Sequence, residues 1–150
     1  MSPRSLAINL LLVVALCGCE GAHTEHSDRI SDMGIDKLAV NQVIIIPNEG
    51  CGGCINAATV YAIMHQEEMT IRKTKVIFTG VKDYKLLKNQ IGVDFLTSDL
   101  VIIDSMNRFM QKPVISIFPQ LITFDSGKLI NVVEFDPNAD ILKLEGGQEN

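Results

Sequence analysis

The sequence lacks a basic patch, internal repeats and low-complexity tracts, and each absence narrows the possible classes of protein. Its 13 Lys and Arg residues are outnumbered by 18 Asp and Glu residues, which gives a formal net charge of −5. An acidic chain of this kind is a poor candidate for binding nucleic acid. With 150 residues and no repeats, the chain has the size of one domain. We therefore expect a single hydrophobic core and no second domain.

Residues 1–18 have the layout of a secretory signal peptide. Arg4 precedes an apolar stretch from Leu6 to Leu16, which is too short to span a bilayer as a mature helix. The pattern predicts that this segment directs export and is then removed, so that the domain lies outside the cytoplasm. The alternatives at this point are an ordinary signal peptide and an uncleaved anchor.

The end of this segment, Leu16-Cys17-Gly18-Cys19, resembles the lipobox of bacterial lipoproteins. The resemblance implies that cleavage falls before Cys19, which then carries the lipid that anchors the protein to a membrane. Removal of Arg4 leaves 12 basic residues against 18 acidic ones, a net charge of −6, so the mature chain has no evident electrostatic attraction to anionic lipid. Residues 19–36 are polar and are expected to form the lipidated N-terminus and a tether, or a short helix.

The lipobox interpretation leaves Cys51 and Cys54 as the two thiols of the mature chain. Cys17 leaves with the signal and Cys19 is consumed by the lipid. Two cysteines in an oxidising compartment form a disulfide unless something reduces them.

Apolar runs alternate with amphipathic segments from residue 37 onward. The runs LAVNQVIIIPN, TKVIFTG and DLVIIDS predict three strands, the first of them central and covered on both faces. Residues 54–69 and 82–92 predict helices between these strands, the second with Tyr84, Leu87 and Ile91 facing inward. The alternation of strand, helix and strand predicts parallel pairing and an α/β layer fold.

The C-terminal part of the chain has a different pattern. PQLITF and KLINVVEF flank the turn DSGK, where Gly127 suits a positive φ, and together they predict a β-hairpin. Pro137 predicts the start of one short closing helix before a polar tail at residues 147–150. The domain is therefore expected to span residues 37–146.

The sequence CGGC at residues 51–54 follows the first predicted strand and begins the first predicted helix. Side chains three positions apart lie about 5–6 Å apart at Cβ on a helix, and a turn can bring them to disulfide distance. Free N–H groups and the helix dipole would stabilise a thiolate on Cys51, and Cys54 lies where it can resolve a mixed disulfide. Gly52 and Gly53 leave little bulk between the sulfurs, so a substrate disulfide could approach. From these residues alone, Cys51 and Cys54 could form a redox-active pair, half of a metal site or a structural disulfide.

The order of these elements resembles the thioredoxin superfamily, and especially its extracytoplasmic thiol-disulfide oxidoreductase-like lipoproteins. The resemblance covers about residues 38–145. It rests on a strand that ends at CxxC, the helix and βα units that follow, and the segment ISIFPQLITFDSGKLINVVEF. It implies a thioredoxin-like fold, with a central mixed sheet flanked by helices, CxxC at the start of the first domain helix and a terminal β-hairpin. The implied activity is exchange of disulfides with partner proteins outside the cytoplasm, without a cofactor.

The resemblance also assigns roles to residues of this sequence. Cys51 matches the nucleophile and Cys54 the resolving cysteine. Pro119 matches a cis-proline that faces the CxxC, keeps metal off the site and shapes the substrate groove. The backbone of Phe118 would pair with an extended segment of the partner.

Three departures from the family pattern favour a slow or specialised exchange over a fast, general one. Gly50 stands where a tryptophan commonly precedes the first cysteine, and Ile45 stands where a buried acid often relays protons to the resolving thiol. Glu49 is close enough in sequence to act as the proton relay instead, although an exposed, solvated Glu49 is the simpler interpretation. Residues 20–36 are also too short and polar to supply the first strand and helix of the full fold.

Two alternatives to redox exchange remain. His23 and His26 would complete a two-Cys, two-His zinc set with Cys51 and Cys54, but their order and spacing match no common zinc finger, so no metal is expected. The other alternative is a lipid-anchored binding or assembly module in which the disulfide only braces a turn. A cross-link between residues three apart removes little entropy from the unfolded chain, which favours redox use.

Overall fold

A mixed five-stranded sheet forms the centre of the protein in a computed structural model, which describes residues 20–136. The strand order is β3-β2-β1-β4-β5, with β1, β2 and β3 parallel and with β4 antiparallel to both β1 and β5. The bounds are β1 Gln42–Pro47, β2 Thr74–Thr79, β3 Val101–Asp104, β4 Gln120–Asp125 and β5 Lys128–Glu134. The predicted signal, Cys19, the closing helix at Pro137 and the polar tail lie outside the described residues.

The helices flank this sheet, so the predicted α/β layer class is confirmed. Their bounds are α1 Glu20–Asp32, α2 Gly52–Met64, α3 Gln66–Ile71, α4 Tyr84–Ile91 and α5 Val93–Leu96, with a 3₁₀ turn at Arg108–Met110. The single helix predicted over 54–69 is two helices, because the backbone of His65 leaves helical geometry at φ −111° and ψ 31°. Between residues 20 and 136, no helix is both long and apolar enough to cross a membrane.

Helix α4 presents only part of its predicted inner face to the core. Leu87 and Ile91 are buried as expected, but Tyr84 is 52% exposed and the prediction for it was wrong. Tyr84 is the first residue of the helix, directly after the N-cap Asp83, and lies at the solvent-facing end of the apolar stripe.

Strand β1 is buried along its whole length, as its continuous apolar run predicted. Because side chains alternate along a strand, Ile44 and Ile46 pack into one core cluster with Ala58 of α2, whereas Val43 and Ile45 pack into another on the opposite face. Burial on both faces and pairing on both edges hold β1 in place and fix the point at which the chain leaves it for the CGGC segment.

The predicted hairpin is confirmed by strands β4 and β5. Their two connecting residues, Ser126 and Gly127, have φ values of 50° and 79°. Two consecutive positive φ angles are the geometry of a type I′ turn, whose twist matches that of the flanking strands.

Residues 20–32 are a packed helix and not a free tether. Helix α1 contacts β5, and its Ile30 is fully buried beside Val43 and Ile122 of the sheet. His26 and Arg29 on the same helix are also buried. The short-helix alternative therefore applies to this segment, and the polarity that suggested a tether belongs partly to side chains that the fold buries.

We expect Ile30→Ala to lower the free energy of unfolding by about 2–5 kcal/mol, because it removes a fully buried side chain and leaves a cavity. Urea unfolding of the chain measures the change. Asp28→Ala on the exposed side of α1 is the matched control, with an expected effect within about 0.5 kcal/mol. Equal, small effects of both substitutions would mean that α1 does not pack on the sheet.

Candidate functional site

A disulfide joins Cys51 and Cys54 at the first turn of α2, with their Cα atoms 5.3 Å apart. Strand β1 ends at Pro47, and residues 48–50 carry the chain from its carboxyl end to Cys51. The backbone N–H of Asn48 donates to the carbonyl of Thr79 at 2.8 Å, which ties this connection to the end of β2. The disulfide therefore lies at the sheet edge where the three parallel strands end.

Cys51 occupies the N-cap position of a 13-residue helix. Its carbonyl accepts the first intrahelical hydrogen bond from Ile55 at 2.9 Å, and its own side chain does not cap the N–H groups of the first turn. When the disulfide is reduced, a sulfur at this position faces those N–H groups and the positive end of the helix dipole. Both favour the thiolate form of Cys51, which is the reactive form in disulfide exchange.

The space around the disulfide is open on the side of the two glycines. Cys51 and Cys54 are half-buried, whereas Gly52 and Gly53 are exposed, and a Cβ built on either glycine would meet no atom within 4 Å. Residues 52 and 53 thus leave open space beside the disulfide.

The connection between β3 and β4 supplies the other wall of the site through Ile117. The backbone N–H of Cys51 donates to the carbonyl of Ile117 at 2.9 Å. Gly50 packs on the same residue with φ 139°, and a Cβ on Gly50 would lie 2.8 Å from the Cα of Ile117. A residue with a side chain, such as the tryptophan considered for this position, does not fit at position 50 in this backbone.

Two apolar side chains on this connection are exposed to solvent, Ile115 by 46% and Ile117 by 57%. Ile117 is the one that contacts the segment before the disulfide, and Ile115 lies two residues earlier in the chain. Neither could be predicted, because an isoleucine in a loop carries no signal until the tertiary contact with Cys51 is known.

The structure corrects the prediction for Pro119. The cis peptide bond found between residues 20 and 136 is Lys112–Pro113, and Pro119 does not have one. Pro119 is fully buried, and its carbonyl accepts from the N–H of Phe135 at 2.8 Å, next to the paired residues that begin β4. It therefore leads into the hairpin and contributes little surface to a groove.

The backbone of Phe118 is also engaged within the protein. Its N–H donates to Oγ of Ser116 at 3.0 Å. A partner strand that paired with this N–H would have to displace the serine hydroxyl.

Glu49 lies on the surface beside the site. It is exposed and forms an ion pair with Lys82, which follows β2. This position agrees with the solvated interpretation of Glu49 and differs from the buried setting of a proton relay.

The residues of the zinc alternative are not brought together. His23 is exposed on α1, and His26 is buried on the same helix, 3.5 Å from Gln120 Oε1. Within the described part of the chain, no group of three or more His, Cys, Asp and Glu side chains could hold a metal ion.

A buried carboxylate at the end of β3 shapes the start of the connection to β4. Asp104 is 1% exposed, and its Oδ2 accepts from the hydroxyl of Thr79 at 2.8 Å and from the N–H of Phe109 at 3.0 Å. The guanidinium of Arg108 lies 3.8 Å from its other oxygen. Asp104 thus fixes the 3₁₀ turn from which the connection runs toward the disulfide.

A disulfide can be reduced chemically to two thiols, and one sulfur of this pair belongs to the N-cap residue of a helix. The chain matches no protein-family model, none of the curated proteins and none of the solved structures with which it was compared. The arguments for its function therefore rest on the geometry of this site.

We expect Gly50→Ala to destabilise the protein by about 1–3 kcal/mol, because φ 139° is unfavourable for alanine and the new Cβ collides with the backbone of Ile117. Urea unfolding measures the change. Gly52→Ala is the matched control, since a Cβ there meets open space at the start of a helix, and we expect it to be neutral or slightly stabilising. Similar results for the two variants would contradict the close contact between Gly50 and Ile117.

Proposed function

We propose that this protein exchanges disulfides with partner proteins outside the cytoplasm, as a thioredoxin-like lipoprotein that uses Cys51 and Cys54. The observation that carries the proposal is the disulfide at the exposed first turn of α2, where Cys51 is the N-cap residue. A dithiol in this position combines a stabilised thiolate, a resolving thiol one turn away and access for a partner.

The fold supports the same proposal. The central strand β1 leads into the CGGC segment, β2 runs parallel to it on one side, and the β4–β5 hairpin lies on the other. This arrangement agrees with the mixed sheet and terminal hairpin of a thioredoxin-like fold. The absence of a cis bond at Pro119 and the absence of space for a side chain at Gly50 separate this site from the common pattern.

The proposed reaction in the reducing direction has two steps. The Cys51 thiolate attacks one sulfur of a partner disulfide, the partner's S–S bond breaks, and its second sulfur leaves as a thiolate. The Cys54 thiol then loses its proton and attacks the Cys51 sulfur of the mixed disulfide, which releases the first partner sulfur. Two electrons pass from this protein to the partner, and a second dithiol protein restores the reduced pair. In the oxidising direction the same steps run in reverse.

Proton transfer in the second step is proposed to involve solvent. Cys54 is half-buried, the position of the usual buried acid is occupied by Ile45, and Glu49 is held at the surface by Lys82. With Ile45 at that position and Glu49 at the surface, the Cys54 thiol loses its proton more slowly near neutral pH. The proposed exchange is accordingly slower than that of a general reductase and depends on binding of a specific partner.

The proposed location follows from the N-terminal segment. We propose that residues 1–18 are removed as a signal peptide and that Cys19 carries a lipid anchor. Partners would then be protein thiols or disulfides on the outer side of a membrane, carried by either membrane-bound or soluble proteins.

The reduction potential of the Cys51–Cys54 pair tests the proposal directly. We expect a value between about −120 and −270 mV, the range of exchanging dithiols. It is measured by equilibrating the protein in thiol buffers of known potential and counting alkylated cysteines. A disulfide that stays closed below about −300 mV, or that opens only when the protein unfolds, would favour the structural role and the binding-module alternative.

The order of the two cysteines in the reaction gives a second prediction. In cells, Cys54→Ser should accumulate mixed disulfides with partner proteins, because the attacking thiolate is kept and the resolving thiol is lost. Cys51→Ser is the matched control and should trap far less. Non-reducing gels of alkylated extracts detect the adducts, and equal trapping by both variants would contradict the assignment of Cys51 as the nucleophile.

A further inference from the structure

The guanidinium of Arg29 on α1 forms hydrogen bonds with the loop at residues 108–112 and with one carboxylate. It is 8% exposed, and its guanidinium donates to the carbonyls of Arg108, of Gln111 at 3.0 Å and of Lys112 at 2.9 Å. The carboxylate of Glu25, one turn earlier on α1, accepts from Nε at 2.9 Å and from Nη2 at 2.6 Å. A buried guanidinium is costly unless its donors are satisfied, and here three loop carbonyls and one carboxylate satisfy them.

The same loop continues to the disulfide. Only residues 113–116 separate Lys112, which Arg29 holds, from Ile117, whose carbonyl accepts from the N–H of Cys51 at 2.9 Å. The loop is also held at its start, where Oδ1 of Asn107 accepts from the N–H of Gly80 at 3.0 Å. The position of residue 112 thus restricts where Ile117 can lie relative to Cys51.

We propose that Arg29 is a positioning residue that holds residues 108–117 against the disulfide and so presents Ile115 and Ile117 to the partner of the exchange. This inference rests on the proposed function and adds to it a component of the site that lies on the N-terminal helix. Arg29 acts through the loop backbone and does not touch the sulfurs.

A purely structural role for Arg29, joining α1 to the rest of the fold, makes a different prediction. Ile30 already attaches α1 to the sheet through apolar contacts with the core. The carbonyls that Arg29 binds all belong to residues 108–112, and none belongs to a strand of the sheet. Loss of Arg29 should therefore loosen the loop more than the helix.

Arg29→Lys in the full chain is the test variant, because an ammonium keeps the charge but cannot reproduce the planar fork of donors. Ile30→Val is the matched control: it weakens packing of the same helix and leaves every loop contact of Arg29 in place. Glu25→Gln is a milder second variant in case Arg29→Lys does not fold, and it loosens the guanidinium by removing its carboxylate.

Amide hydrogen exchange of the oxidised protein gives the first measurement. In Arg29→Lys we expect the Cys51 amide to exchange about tenfold faster than in the parent protein, while amides of β1 keep their protection. In Ile30→Val the Cys51 amide should change no more than those of β1. Parent-like protection of Cys51 in Arg29→Lys would overturn the proposal.

Exchange kinetics give the second measurement. With an apolar peptide disulfide as the substrate of the reduced protein, Arg29→Lys should react about tenfold more slowly, because the isoleucines are no longer held in place. Reduction of its oxidised form by dithiothreitol, which needs only the sulfurs, should be unchanged. Equal losses with both reagents would show a general structural effect and overturn the positioning role. If the parent protein does not react with the peptide, the proposed function fails, and the Cys51 amide alone decides whether Arg29 positions the loop.

Discussion

The burial of β1 on both faces is the constraint on which the rest of this structure depends. The strand carries apolar side chains to both core clusters and pairs with β2 and β4 along its two edges, so it cannot shift without disrupting both layers. Its carboxyl end is consequently a fixed point. The short connection from Pro47 to Cys51 starts there, so the CGGC segment takes its position from a strand that is buried on both faces and paired on both edges.

The other half of the site comes from much farther along the chain and is held by polar contacts. Asp104 and Asn107 fix the beginning of the β3–β4 connection, Arg29 holds its middle, and Ile117 meets Cys51. Each contact joins a side chain to backbone, or backbone to backbone, which sets geometry without adding apolar contact. The disulfide thus lies between the end of a buried strand and a loop that is held both by hydrogen bonds and by the buried side chains of Phe109 and Val114.

The features that could be predicted from the sequence are those that follow from hydrophobic burial and from turn residues, and the features that depend on hydrogen bonds between distant residues could not be predicted. The strands, their parallel pairing, the hairpin and the place of the CGGC segment could be predicted because apolar periodicity and turn residues report burial directly. The packing of α1 could not, because His26 and Arg29 count as polar in any periodic pattern and are buried only because distant groups satisfy them. The contact of Ile117 with Cys51 could not be predicted either, because it is made by the backbone carbonyl of Ile117 and does not depend on the type of side chain. Pro119 shows the opposite error: its place before the hairpin resembled that of a cis-proline, but its peptide bond is not cis and the residue is buried.

The packing of α1 also bears on which partners the proposed exchange could reach. On the proposal that Cys19 carries the lipid, the anchor is joined directly to the residue at which α1 begins. A flexible tether of the same 13 residues would have a variable end-to-end distance of about 18–22 Å on average. A 13-residue helix is instead about 20 Å long, and its last turns are fixed to the sheet through Arg29 and Ile30. On that proposal the domain is joined to the membrane by a helix and not by a flexible chain, which narrows the range of positions relative to the bilayer that the disulfide can reach.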